Sequence, residues 1–309
     1  MIPPTELVEP AAWVESAVVP LGGTGVLRAV VVAGEGGPRF RVCPRVDCLT
    51  VTTDWTGSLS SVPDDQFIQL NGQAAFTANT LRSVAVNVDA ATFTWDITTG
   101  IKVAFLAQVH SLADLGTYAF SGLTLGAATT GRMIAVAVHA STNVDVAFAT
   151  AKLNATPCTK LVAVHENLAN GTPGAMFLCD PGNAVTGAVE VSLSGGPPVR
   201  VGVALWSLVG LQGAAPHDVA TYDGANPGSV VVDVAAGGAV LVGLSQNNAA
   251  GAVVTWGNAA EQYAWVMPEG TFTLMAGGYH YAPQGGTVTV TTDSSGAGTL
   301  NRLFPVSFR

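Results

Sequence analysis

Apolar and polar residues alternate with a period of two along most of this chain. In "SVVVDV", Val230, Val232 and Val234 share one side while Ser229 and Asp233 take the other. "GTVTVTTD" sets Val288 and Val290 against Thr287, Thr289 and Thr291, and "GAVEVSLS" sets Val189, Val191 and Leu193 against Glu190. "SVAVNV" does the same with Val84, Val86 and Val88 against Ser83, Ala85 and Asn87. Successive side chains of a strand point to opposite faces of its sheet. The rhythm therefore predicts strands with one dry and one wet face, as in an antiparallel β-sandwich. Turn residues punctuate it: "GEGGP" follows "VLRAVVVAG", and "SVPDDQ" and "NGQ" flank "FIQL", where Asn-Gly between apolar runs is a hairpin signal. Helix is expected only as one turn at "SLADLG", Ser111–Gly116.

The order of these segments predicts an extended N-terminal arm over 1–20, rich in proline. A smaller N-terminal β domain follows over 21–110, and a β-sandwich over 111–309. The sandwich reads as two versions of one unit, 116–209 and 217–309. "FSGLTLGAATTGRMIAVAVHAS" corresponds to "GSVVVDVAAGGAVLVGLSQN", and "VAFATAKLNATPCTKLVAVHEN" to "AVVTWGNAAEQYAWVMPEG". "GAMFLCD" corresponds to "GTFTLMAGGYHY", and "GAVEVSLSGGPPVRVGVALWSLVGL" to "GTVTVTTDSSGAGTLNRLFPVSFR". About four strands per repeat predict an all-β, jelly-roll-like double sheet.

One segment departs from the alternation. In "VRVGVALWSLVG" both faces are apolar, Val201/Val203/Leu205 on one and Gly202/Ala204/Trp206 on the other. Such a strand is dry on both sides. The expected cover for its second face is the N-terminal domain, the "GLQGAAP" linker or a neighbouring subunit, which makes Trp206 a candidate subunit contact. The run is too short and too interrupted to span a membrane as a helix.

Composition narrows the partners. Only 11% of the 309 residues are charged and the formal net charge is −9. Lysine occurs only at 102, 152 and 160, and no basic cluster offers phosphate neutralisation, so neither nucleic-acid binding nor membrane insertion is expected. The N-terminus, "MIPPTELVEP", lacks the basic and apolar regions of a secretory signal. Without one, Cys43, Cys48, Cys158 and Cys179 read as reduced, buried thiols. "CPRVDC" leaves the pairing of Cys43 with Cys48 open; it has no second pair of ligands at metal spacing, so no metal site is expected, and no cofactor.

Catalytic signatures are sparse. There is no G-x-S-x-G, H-E-x-x-H or P-loop motif. His139 and His165 end apolar strands and read as rim histidines. Asp64, Asp65, Glu261 and Glu269 are the acids that paired-carboxylate glycoside chemistry would use, although such residues more commonly mark turns. The aromatic run from Trp256 to Tyr281 is richer. Trp256 and Tyr263 lie beside turn residues and, with Asn247 and Asn248, form the candidate glycan-binding group, since sugar rings stack on exposed aromatic faces. Large aromatics are otherwise core residues.

The segments "YAFSGLTLGAATTGRMIAVAVHAS", "TAKLNATPCTKLVA" and "GAVEVSLSGGPPVRVGVALWSLVGL", with "VVVDVAAGGAVLVGLSQN" and "GTVTVTT" after them, resemble virion proteins of phages, prophages and gene transfer agents. The resemblance spans roughly 116–309. It implies a structural, non-enzymatic component of a phage-like particle: a tail fibre, head spike or decoration protein. It further implies assembly in the host cytoplasm into the virion, other virion proteins and copies of itself as partners, host cell-surface carbohydrate as a ligand, and particle docking by the N-terminal part. The alternative is a carbohydrate-active enzyme, a capsule depolymerase, on the same sandwich.

Overall fold

A computed structural model describes residues 5–8, 13–22, 26–73, 81–168, 171–196, 200–247, 252–267, 273–282, 285–295 and 300–309. Two compact units divide the chain, Met1–Ile101 and Lys102–Arg309. The protein is all-β, and no helix occurs among the described residues; after a strand that ends at Ser111, 112–116 is an irregular link held by the Tyr118 hydroxyl, which donates to the Ala113 carbonyl at 2.7 Å.

The first unit contains β1 (Thr5–Val8), β2 (Trp13–Glu15), β3 (Val19–Pro20), β4 (Leu27–Ala33), β5 (Arg39–Cys43), β6 (Thr53–Thr56), β7 (Ser58–Pro63), β8 (Phe67–Gln73), β9 (Leu81–Val88) and β10 (Ala91–Thr99). One sheet runs β1-β10-β9-β4-β7; the other runs β2-β8-β5-β6, with β3 also on β8. Their inner faces close over Val30, Phe40, Ile68, Leu70, Val84, Val86, Trp95 and Ile97. Within the stretch 1–20, expected to be an extended arm, the described strands β1, β2 and β3 pair within these sheets. One expectation changes here. "NGQ" is not a turn but the end of β8, with Asn71 and Gly72 buried. A Cβ on Gly72 would come within 3.4 Å of the Ile97 and Trp95 side chains, so this glycine makes room for a core indole.

The second unit begins at Lys102, so the strand expected to end the first domain belongs to the sandwich instead. It holds β11 (Lys102–Ser111), β12 (Thr117–Thr124), β13 (Met133–Ser141), β14 (Val146–Leu153), β15 (Thr156–Pro157), β16 (Thr159–Val164), β17 (Gly174–Cys179), β18 (Thr186–Gly195) and β19 (Arg200–Val209). After these come β20 (Asp218–Val219), β21 (Tyr222–Ala225), β22 (Gly228–Val234), β23 (Gly238–Asn247), β24 (Val254–Gly257), β25 (Ala260–Met267), β26 (Thr273–Ala282), β27 (Gly286–Ser294) and β28 (Leu300–Phe308).

Sheet order makes the repeat explicit. The first half has sheets β11-β19-β13-β17-β16 and β12-β18-β14-β15. The second has β20-β28-β23-β26-β25, with β21 also on β28, and β22-β27-β24. Every strand of one half has its counterpart at the same place in the other, apart from the short β15. In the first half, strands 1-8-3-6 form one sheet and 2-7-4-5 the other, the jelly-roll order. The second half repeats that order, with β25 beside β26 as β16 lies beside β17, and has no counterpart of β15 among the described residues. Each repeat is thus a complete two-sheet jelly roll, not four strands of a shared one.

Burial explains how they combine. Phe148, Val189, Val191, Val203 and Leu205 fill the first jelly roll; Val232, Val242, Leu244, Val290 and Leu303 fill the second. Yet β17 and β19 are buried at every position, and β13, β23 and β28 at all but one. Their second faces are dry because the two large sheets stack on each other, giving four layers of sheet. Glycines allow the close approach: a Cβ on Gly174 of β17 or Gly243 of β23 would lie 2.2 Å from a ring carbon of Phe304 on β28. The cover expected over Trp206 is therefore the second repeat of the same chain. Trp206 has no exposed surface, so it is not a subunit contact. Between β18 and β19, Pro197 and Pro198 lie outside the described residues.

Candidate functional site

Three of the side chains that sequence singled out, His139, His165 and Tyr263, lie at the seam between the two jelly rolls. His139 sits on β13, fully buried. Its Nδ1 is 2.8 Å from the Ser245 hydroxyl of β23, and its Nε2 is 2.7 Å from the Tyr263 hydroxyl of β25. A neutral imidazole has one donor and one acceptor nitrogen, and hydroxyls serve either role, so this pair of contacts satisfies the ring without charge. Burial pushes the His139 pKa down to about 3 and raises that of the Tyr263 hydroxyl well above its ordinary value. Rings enclose the group: Tyr263 stacks on Phe105 at 5.7 Å and tilts against Trp206 at 5.6 Å, while Phe304 lies 5.3 Å from His139.

A second polar cluster crosses the same seam nearer its rim. Arg302 of β28, almost fully buried, donates from Nη1 to the Thr172 hydroxyl at 2.7 Å. Its Nη2 is 3.3 Å from His165 Nε2. A guanidinium has no acceptor, so His165 Nε2 must accept and its proton resides on Nδ1, which donates to Asp223 Oδ2 at 2.6 Å. Arg302 Nε lies 3.4 Å from Asp223 Oδ1. Burial lowers the Arg302 pKa and Asp223 opposes that shift. The hydrogen bonds of His139 to Ser245 and Tyr263, of Arg302 to Thr172 and His165, and of His165 to Asp223 cross the seam, and what the arrangement does is tie two sheets together.

The expected glycan-binding group is not assembled. Tyr263 is 5% exposed and faces the first jelly roll. Trp256, on β24, packs half-buried on the core of the second and donates from Nε1 to Glu261 Oε2 at 3.0 Å. The two aromatics thus lie on opposite sides of the large sheet. Asn247 ends β23, half-buried and in register with Thr273; Asn248 lies outside the described residues, as do Glu269 and Phe272. Asp64 and Asp65 do not face each other across a site. Asp64 is fully buried, accepting the Val26 N–H at 2.9 Å and paired with Arg28 at 3.2 Å, while Asp65 is exposed. His139 is interior, not at a rim. The signal for that was present in "MIAVAVHAS", an unbroken apolar strand in which any polar residue must be internal. Arg132 gave no such signal; its guanidinium donates to the backbone carbonyls of Leu125, Gly126, Ala127 and Ala184.

All four cysteines are paired, Cys43 with Cys48 and Cys158 with Cys179. The second pair ties the link between β15 and β16 to the end of β17. The reduced-thiol expectation is thereby corrected: each pair has its Cα atoms at bonding separation, 5.2 and 4.4 Å. No group of three or more His, Cys, Asp and Glu able to hold a metal occurs among the described residues.

These features define a class, an all-β protein of stacked β-sandwiches. No family model and no curated protein matches the chain. Among solved structures, the C-terminal domain of the AgI/II polypeptide BspA from Streptococcus agalactiae is similar over 74% of this chain and 90% of that one, at 11% identity and a TM-score of 0.18. The structure of infectious bursal disease virus, Gx strain, is similar over 99% of this chain and 75% of that one, at 8% identity and a TM-score of 0.20. Scores this low carry no argument about role.

Proposed function

We propose that this chain is a structural component on the outside of a phage-like particle, a tail fibre, head spike or decoration protein. The observation that supports the reading is the tandem of two jelly rolls of the same strand order, fused face to face, with their interior polar groups used to join them. That construction makes a stiff block, suited to bearing load or spacing other parts. The cysteine pairs favour an external position, since disulfides persist on virion surfaces. The resemblance of 116–309 to virion proteins points the same way. In this reading the partners are other virion proteins and further copies of the chain, and the structural role stands without a glycan site at Trp256 and Tyr263. Mass spectrometry of intact, gradient-purified particles from a host carrying this gene is the test. The chain should co-purify at a fixed ratio to the major capsid protein; its absence from intact particles would end the proposal.

A further inference from the structure

The core of the first unit stops short at one end, and the gap is a cavity of about 330 Å³. Leu21 and Ile68 wall one side, Val86, Val88 and Phe93 the other, and Arg28 stands at the polar end. Phe93 occupies the inward-facing series of β10 with Trp95 and Ile97. Those two are fully buried, yet Phe93 is 43% exposed, because the space it faces is open. A cavity of this size, apolar with a few fixed polar groups, has the character of a small-ligand site.

The polar end sets the ligand's chemistry. Arg28 donates from Nη1 to Asp89 at 3.1 Å and from Nη2 to Asp64 at 3.2 Å. Each carboxylate is itself fixed by backbone, Asp64 by the Val26 N–H and Asp89 by the Ala29 N–H, at 2.9 and 2.8 Å. The guanidinium is therefore held in one orientation, and its Nε has no partner among the described residues. Two carboxylates against one cation leave the site with an excess negative charge. An anionic head group brought to Arg28 would be repelled by both carboxylates; an uncharged oxygen carries no net charge for them to repel.

We infer that this cavity binds an uncharged amphiphile: an apolar body of about ten heavy atoms, roughly twice what fills a benzene-sized cavity, ending in a hydroxyl or carbonyl oxygen that accepts from Arg28. The inference is independent of the particle role proposed above. Isothermal titration of the full-length protein with octan-1-ol and with octanoate tests it. Octanol should bind saturably at one site per chain, with octanoate at least tenfold weaker. Two cavity-filling variants, Ala91→Trp and Val88→Phe, should each abolish octanol binding while the first unit still unfolds cooperatively. Absence of saturable octanol binding, or equal binding in both filled variants, overturns the site. Octanoate binding as tightly as octanol overturns the ligand class.

Discussion

His139 is neutral in the folded chain because its burial removes the water that an imidazolium needs, whereas in the unfolded chain it protonates near its ordinary pKa of 6.5. The sign follows. Between about pH 3 and 6.5 the unfolded state binds the extra proton, so stability from this group is full above pH 6.5 and is lost as pH falls toward 3. Each pH unit within that window is worth about 1.4 kcal/mol. Chemical denaturation of the wild type and of His139→Gln from pH 4 to 7 isolates the effect. The variant should be less stable at pH 7 and lose less on acidification, so that the two curves converge. Parallel curves would mean that His139 is already charged or solvated in the native state. Chemistry at this scale was only partly legible. That a histidine ended an apolar strand was plain; that Ser245 and Tyr263, more than a hundred residues away, would meet its two nitrogens depended on how two sheets stack, which no local pattern encodes. Tyr263 misled because its turn-like neighbour Glu261 is at the surface, but a register shift between Glu261 and Tyr263 resets the alternation and turns Tyr263 inward.

Strands were the most legible elements, since period two is a direct consequence of the pleat. Val230, Val232 and Val234 are buried and Ser229 and Asp233 exposed, as the alternation demands. Strands that broke the alternation carried more information. The two dry faces of β19 meant cover on both sides, and what covers it is a second sheet. Asn71-Gly72 failed as a turn signal because glycine also serves where a large side chain lies overhead, here Trp95. The cysteines failed for a different reason, because pairing depends on strand register. Cys179 is at the end of β17, and Cys158 sits where the chain crosses from β15 on one sheet to β16 on the other. The Cys158–Cys179 bond closes a loop with a sequence separation of 21, worth about 3 kcal/mol through the unfolded state. Peptide mapping without reduction should recover the 158–179 cross-link, and the double variant Cys158→Ser/Cys179→Ser should unfold at lower denaturant with unchanged sheet signal. A cross-link between 43 or 48 and either of these cysteines would contradict the register of β16 and β17.

At the scale of the whole molecule, the repeat was legible as an order of segments long before any strand matched its counterpart in sequence. What the order could not convey is that each repeat closes its own sandwich and then loses one wet face to its twin. That loss ties the stabilities of the two jelly rolls together. The seam buries Trp206, Tyr263, Phe304 and Arg302 from both sides, so neither large sheet keeps a dry second face without the other. Truncation of a core tryptophan costs about 3–5 kcal/mol through lost burial and the cavity left behind. Trp206→Ala places that cost on a residue of the first jelly roll whose side chain points at the second. Hydrogen exchange read by mass spectrometry separates the outcomes. In a coupled block, peptides from β17 and from β26 lose protection together and by similar factors, while peptides from β9 and β10, in the other unit, do not change. If only peptides of the first jelly roll loosened, the two would be separate domains in mere contact, and a stiff spacer built from their fusion would have no physical basis.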